Sequence, residues 1–198
     1  MTIQSNTSDT IKVWDPLVRV FHWSLVILFL ITFVTEDDWM NLHVATGYAV
    51  AMLVGFRLLW GVIGTRYARF TQFVKSPTQV FAYIKKMLTF DVPHYIGHNP
   101  AAAAMIISLL ISIFMVSVTG MAIIATQGEG PLAETFLAGF NAEWMEEAHE
   151  FFANFTVLLV ILHIAGVFFS SMLERENLIK AMITGRKKYR VNATDSKP

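Results

Sequence analysis

Four apolar runs interrupt an otherwise polar and charged chain, at about residues 17–35, 42–63, 101–126 and 148–172. Each is near the roughly 20 residues that an α-helix needs to cross a bilayer, so the pattern predicts four membrane spans. Arg19 and His22 sit in the first run and Arg57 in the second. The connection between the second and third runs is long. Within it, SPTQVFAYIKKMLTF places a proline near a helix start behind a serine cap, with Val80, Phe81, Ile84, Met87 and Leu88 at helical spacing. Lys85 and Lys86 fall on the other side, so this segment is expected to be a short amphipathic helix lying on a membrane face. The connection before the fourth run, GPLAETFLAGFNAEWMEE, is expected to hold another short helix with Trp144 at the interface. The fold class expected is therefore all-α: a membrane four-helix bundle with short interfacial helices, forming one domain over 1–198 with polar tails at 1–16 and 186–198.

Charge orients this bundle. The 198 residues carry 15 Lys and Arg against 15 Asp and Glu, so the net charge is zero, yet the signs are segregated. Every base falls in the N-terminal arm through Arg19, between Arg57 and Lys86, or from Arg175 onward. The first connection has Glu36, Asp37 and Asp38, and the third has Glu129, Glu134, Glu143, Glu146 and Glu147, neither with a base. The positive-inside rule then puts both termini and the middle connection in the cytoplasm, which is self-consistent with four spans. The first apolar run reads as a retained anchor, because no small-residue cleavage site follows it. Contact with anionic lipid is the simplest role for the basic GRKKYR tail.

Composition agrees: 55% of residues are hydrophobic and 15% charged, with a mean hydropathy of +0.51, too apolar for a soluble domain of this size. There is no cysteine, which excludes disulfides, thiolate-held clusters, thiolate zinc sites and haem attached through Cys-x-x-Cys-His. No P-loop, dinucleotide turn or nucleic-acid module is visible.

Histidine carries the chemistry. His149 and His163 are fourteen residues apart on the fourth run, almost four turns, so they share a helix face about 21 Å apart along the axis. Ionisable groups inside a membrane are costly and ask for a function. The predicted topology sets His22 and His163 toward the cytoplasm, and His43 and His149 toward the outer face. Two pairs matched in height suit haem iron, which takes an axial ligand on each side of its plane. A proton relay and a histidine-lined metal transporter without haem are the competing uses. Gly47 and Gly166 lie beside His43 and His163 on the same helix faces, where small residues admit either a flat macrocycle or an ordinary helix neighbour. Arg57 follows His43 by fourteen residues; it is either a partner for haem propionates or an arginine snorkelling to the cytoplasmic surface. Arg19, three before His22, has the same two readings. Asn99 precedes Pro100 and is either the cap of the third span or a hydrogen-bond donor to a polar ligand at the mouth of the bundle. His94 and His98 have no matched partner within a span and are not expected to bind haem.

VWDPLVRVFHW, HVATGY, RLLWGVIGTRYARF, GHNPAAAAMI, HEFFAN, LHIAGV and ENLIKAMITGRK together resemble the bacterial cytochrome b561 and nickel–iron hydrogenase cytochrome b family, over about residues 12–190. The resemblance implies four helices holding two haem b groups, with His22 and His163 as the inner axial pair and His43 and His149 as the outer pair. The chain is similar, more distantly, to the cytochrome b subunit of respiratory formate dehydrogenases. That similarity implies a quinone site at Asn99 with His163 adjacent, although the four alanines after Pro100 depart from the glycine-containing motif. The expected function is electron transfer across the bacterial inner membrane between a periplasmic redox partner and the quinone pool. The partner, an electron-transfer protein or dehydrogenase subunit, would dock on the acidic outer face. A free-standing quinone-linked oxidoreductase of a small reductant such as superoxide is the alternative. No nucleic-acid partner is expected, and self-association into a homo-oligomer stays open.

Overall fold

The computed structural model describes residues 10–36, 38–90, 95 and 97–188. Asp37, His94 and the end of the basic tail lie outside the described residues. A short strand β1 (Thr10–Lys12) leads into α1 (Pro16–Val34) and α2 (Met40–Ile63). Two short helices follow, α3 (Phe70–Phe73) and α4 (Pro77–Leu88), then α5 (Pro100–Thr126). A 3-10 turn at Phe136–Gly139 precedes α6 (Ala142–Glu174), and α7 (Leu178–Thr184) leads into strand β2 (Arg186–Lys188). Helices α1, α2, α5 and α6 are each long and apolar enough to cross a membrane.

Local chemistry sets the helix ends. Asp15 caps α1 by accepting from the Val18 backbone N–H (2.9 Å), ahead of Pro16 at the first helical position. Asn99 caps α5 in the same way through Ala102 N–H (2.8 Å), again ahead of a proline. A reciprocal Ser76–Gln79 capping box opens α4. Helix α6 begins at Ala142, six residues before the expected edge of the fourth span, because Asn141 caps it (Trp144 N–H, 3.0 Å) and Glu143 complements its N-terminal dipole. The acidic connection thus ends in the first turns of α6, where Trp144 is exposed.

The four long helices form the bundle, whose buried centre is Val50, Val54 and Ile113, with Leu25 and Leu28 packed against them. Hydroxyl pairs tie the helices to one another: Ser112 of α5 to Thr156 of α6 at 2.7 Å, and Thr32 of α1 to Thr46 of α2 at 2.8 Å. Such bonds hold membrane helices together where burial of apolar surface gives no net drive. The N-terminal arm and the C-terminal segment are not free tails over their described residues. β1 and β2 pair antiparallel, with Ile11 opposite Lys187. Lys187 is buried, and its Nζ reaches Glu174 (3.2 Å), Glu176 (3.8 Å) and the Tyr95 carbonyl (3.0 Å). Both ends of the described chain therefore meet at the end of the bundle that carries the bases. The middle helix α4 docks there through Tyr83, which is buried against Tyr95; burial, with Glu174 and Tyr95 adding, pushes its phenol up to about 12. Phe81 and Leu88 of α4 are exposed.

Candidate haem-binding site

The bundle brings the four span histidines together in two pairs. The ring centres of His22 (α1) and His163 (α6) are 6.5 Å apart, toward the basic end. Those of His43 (α2) and His149 (α6) are 6.2 Å apart, toward the acidic end. These distances have a chemical meaning. Two metal–imidazole bonds of about 2.0–2.1 Å, plus about 1.1 Å from each ring nitrogen to its ring centre, separate two coaxial imidazoles on one metal by about 6.3 Å. Among the described residues no cluster of three or more His, Asp or Glu side chains could hold a metal ion by itself. Each pair thus offers two axial ligands, and a macrocycle would have to supply the equatorial ones.

The acidic-end pair is oriented by the backbone. The Nδ1–H of His43 donates to the Thr32 carbonyl (2.9 Å), and the Nδ1–H of His149 donates to the Val116 carbonyl (2.9 Å), with the Thr119 hydroxyl at 3.3 Å. Spending Nδ1 this way fixes the tautomer and leaves each Nε2 lone pair free for a metal. The Thr32 carbonyl lies in the last turn of α1, where it also accepts from the Thr35 backbone N–H (3.4 Å) and hydroxyl (3.2 Å). His149 reaches α5 because position 120 is glycine: a Cβ there would stand 2.9 Å from the ring's Cε1 and 3.1 Å from Nδ1. Both rings line a cavity of about 210 Å³, together with groups from all four long helices, among them Phe29, Gly47, Val116 and Ala153. Gly47 has nothing within 4 Å of its missing side chain, so a flat apolar group can lie on its backbone. The donors, the spacing and the open apolar slot all fit haem b.

The basic-end pair has a different surround. The Nδ1 of His22 is buried without a hydrogen-bond partner among the described residues, and so is the indole N–H of its edge-on neighbour Trp23. Gly166 is exposed and has open space beside it. Arg57 is buried, so its guanidinium does not snorkel to water. One Nη donates to the Ala68 carbonyl (3.1 Å) and the guanidinium lies 4.9 Å over the Phe70 ring, while its Nη1 is buried without a partner among the described residues. Arg19 donates to the Ile183 carbonyl at the end of α7, with its Nε buried and without a partner among the described residues. These unspent donors fit a ligand that brings acceptors, as haem carboxylates do.

Near this end, His98 is wedged between Trp14 and Phe73, with ring centres 4.4 and 4.7 Å away. Burial, with the Arg57 and Lys187 cations adding, drives its imidazole down to about 3; it stays neutral across the working range. Asp15 is held below the usual carboxylate range. Burial raises it, but hydrogen bonds from Thr65, the Val18 backbone and Trp60 outweigh that.

Sequence reasoning missed Thr32, Val116, Thr119 and Gly120, which set the acidic-end ring orientations. A signal for Gly120 existed: it is a glycine in an apolar span at the height of His149. The carbonyls leave no mark in a sequence.

Comparison with known proteins accords with this geometry. The prokaryotic cytochrome b561 family model matches residues 13–185, and the chain belongs to that family. Two relatives are a probable Ni/Fe-hydrogenase B-type cytochrome subunit of Rhodobacter capsulatus, 24% identical over 96% of this chain and 85% of the relative, and its counterpart from Bradyrhizobium diazoefficiens, 22% identical over 91% and 87%. No solved structure matches. The protein is a multi-pass prokaryotic membrane protein of the b-type cytochromes, whose function is transmembrane electron transfer through haem b.

Proposed function

We propose that the chain holds two haem b groups and carries electrons between a redox protein at its acidic end and quinone at its basic end. His22 and His163 would ligate the inner haem, and His43 and His149 the outer one. The observation that carries this reading is the pair of ring-centre distances, 6.5 and 6.2 Å, at two heights on one helix, α6. Haem, when bound, supplies one-electron iron chemistry. The chain's own part is to hold the imidazoles at bonding distance, fix their tautomers and keep water from the slot.

Segregation of bases supports both termini in the cytoplasm of a bacterium, with the acidic end in the periplasm. That acidic end has no Lys or Arg with which to draw in a small anion such as superoxide, but it suits a protein partner with basic groups. The relatives' names support a hydrogenase-type dehydrogenase subunit in that role. At the basic end Asn99 spends its side-chain oxygen on the α5 cap, and its amide N–H groups, which bond no described residue, would serve a quinone carbonyl near His163. Arg57 and Arg19 would meet the inner propionates, and Gly47 and Gly166 would admit the macrocycles.

The test is a purified preparation. It should be red and carry two haem b per chain, and a short-chain quinone should reoxidise it after reduction. Asn99→Ser keeps the cap acceptor and removes the amide donor, so it should slow quinone turnover with both haems retained. A colourless protein would favour a haem-free transporter, and an unchanged quinone rate in N99S would remove Asn99 from the site.

A further inference from the structure

The acidic-end cavity lacks what the basic end has: a cation. No Lys or Arg lies between Lys86 and Arg175, nor between Arg19 and Arg57, and the charged side chain beside the histidines in the cavity lining is Glu36, an exposed carboxylate. A macrocycle with carboxylate groups seated there needs another donor. The other polar side chains of the lining are already committed. Thr32 donates to the Leu28 carbonyl or to Thr46, Ser117 to the Ile113 carbonyl (2.8 Å) and Thr156 to the Phe152 carbonyl (2.7 Å). The two histidines spend their Nδ1–H on carbonyls. One lining hydroxyl is left. The Tyr48 Oη is buried and has no partner among the described residues. It lies under the turn at Gly130, where a Cβ would come within 2.6 Å of it. A glycine in a left-handed conformation (φ 75°) keeps that space open.

We propose that the Tyr48 hydroxyl binds a carboxylate of the macrocycle held between His43 and His149, taking the place of the absent cation. A buried donor without a partner is costly, so the geometry suits an acceptor that the described residues do not provide. Its chemical class follows from the surroundings: an acceptor on an otherwise apolar, planar ligand, which is a porphyrin carboxylate. A neutral donor beside a carboxylate also draws negative charge away from the nearby iron. Removing it favours the ferric state at this centre and leaves the other unaffected.

This inference rests on the two-haem reading, and Tyr48→Phe in the haem-loaded protein tests it. Redox-difference infrared spectra should show a carboxylate band that moves in Y48F. The acidic-end potential should fall while the basic-end potential stays constant. Loss of the acidic-end haem alone would support the assignment equally. Gly130→Ala crowds the same oxygen without deleting it and should reproduce the effect. Two haems per chain in Y48F, with carboxylate bands and both potentials unchanged, would overturn the role of Tyr48 only. A wild-type chain with no haem at its acidic end would overturn the two-haem reading and this inference with it.

Discussion

Replacing Gly120 with alanine tests the acidic-end geometry through a single methyl group. In an ordinary exposed helix interior, Gly→Ala would stabilise by about 1 kcal/mol. Here the new Cβ would stand 2.9 Å from Cε1 of His149 and 3.1 Å from its Nδ1, whereas carbon atoms settle at about 3.5–4.0 Å. The ring must retreat by roughly 0.6–1 Å, several times the ~0.2 Å that a metal–ligand distance tolerates. Two costs follow. A ring pushed off its rotamer loses about 0.5–1.5 kcal/mol, and giving up the Val116 hydrogen bond loses about as much again. Together these are about 1–3 kcal/mol, or a fall in affinity of about 5- to 150-fold at the acidic-end site. The assay is the haem-to-protein ratio during dilution or detergent washing, read with the reduced-minus-oxidised spectrum. G120A should lose one haem of two, the fold remaining intact and the basic-end haem staying bound. Retention of both haems, with unchanged spectra and wash resistance, would refute the claim that Gly120 seats His149.

Three further outcomes follow from the packing. Asp15→Ala removes the α1 cap and the acceptor for Thr65 and Trp60, so unfolding in detergent should shift by about 1–3 kcal/mol; the wild-type advantage should fade in acid, because a depressed carboxylate gives up its contribution as pH drops through its folded value. His98 is neutral when folded down to about 3 and takes a proton near 6.5 when exposed, so the folded state binds fewer protons between those values and loses stability as pH falls through that window, by about 2 kcal/mol near pH 5. His98→Phe should flatten that acid limb in a pH series of unfolding midpoints, and an unaltered limb would assign it to other groups. Ser112→Ala breaks the buried hydroxyl pair with Thr156 and should cost about 0.6–1.7 kcal/mol in an SDS-unfolding titration, the range for hydrogen bonds between membrane helices.

How much of this could be read from the residues depends on the distance over which each feature is encoded. Four spans follow from hydropathy, which is local, and the α4 and α5 starts follow from Ser76 and Asn99 beside prolines. The early start of α6 was hidden because its first turns are acidic and fall below any hydropathy threshold, although Asn141 marked the cap. The histidine pairing was legible because charge segregation orders the helix ends and a 1.5 Å rise converts residue number to height. The strand pair of Thr10–Lys12 with Arg186–Lys188 was not, since three-residue strands from opposite ends of the chain carry no periodicity. Nor was the slot of Trp14 and Phe73 around His98, or the burial of Arg57, which hydropathy cannot distinguish from an arginine at the surface. Side chains that meet backbone carbonyls, such as His43 on Thr32, are set by tertiary placement alone.

The most direct measurement is a haem count across single alanine replacements of His22, His43, His149 and His163, each scored by which of two potentiometrically distinct b-type signals disappears. The account predicts that H22A and H163A abolish the same signal, H43A and H149A abolish the other, and each variant keeps one low-spin haem. A variant that loses both signals or neither, or a loss that groups His22 with His43, would contradict it.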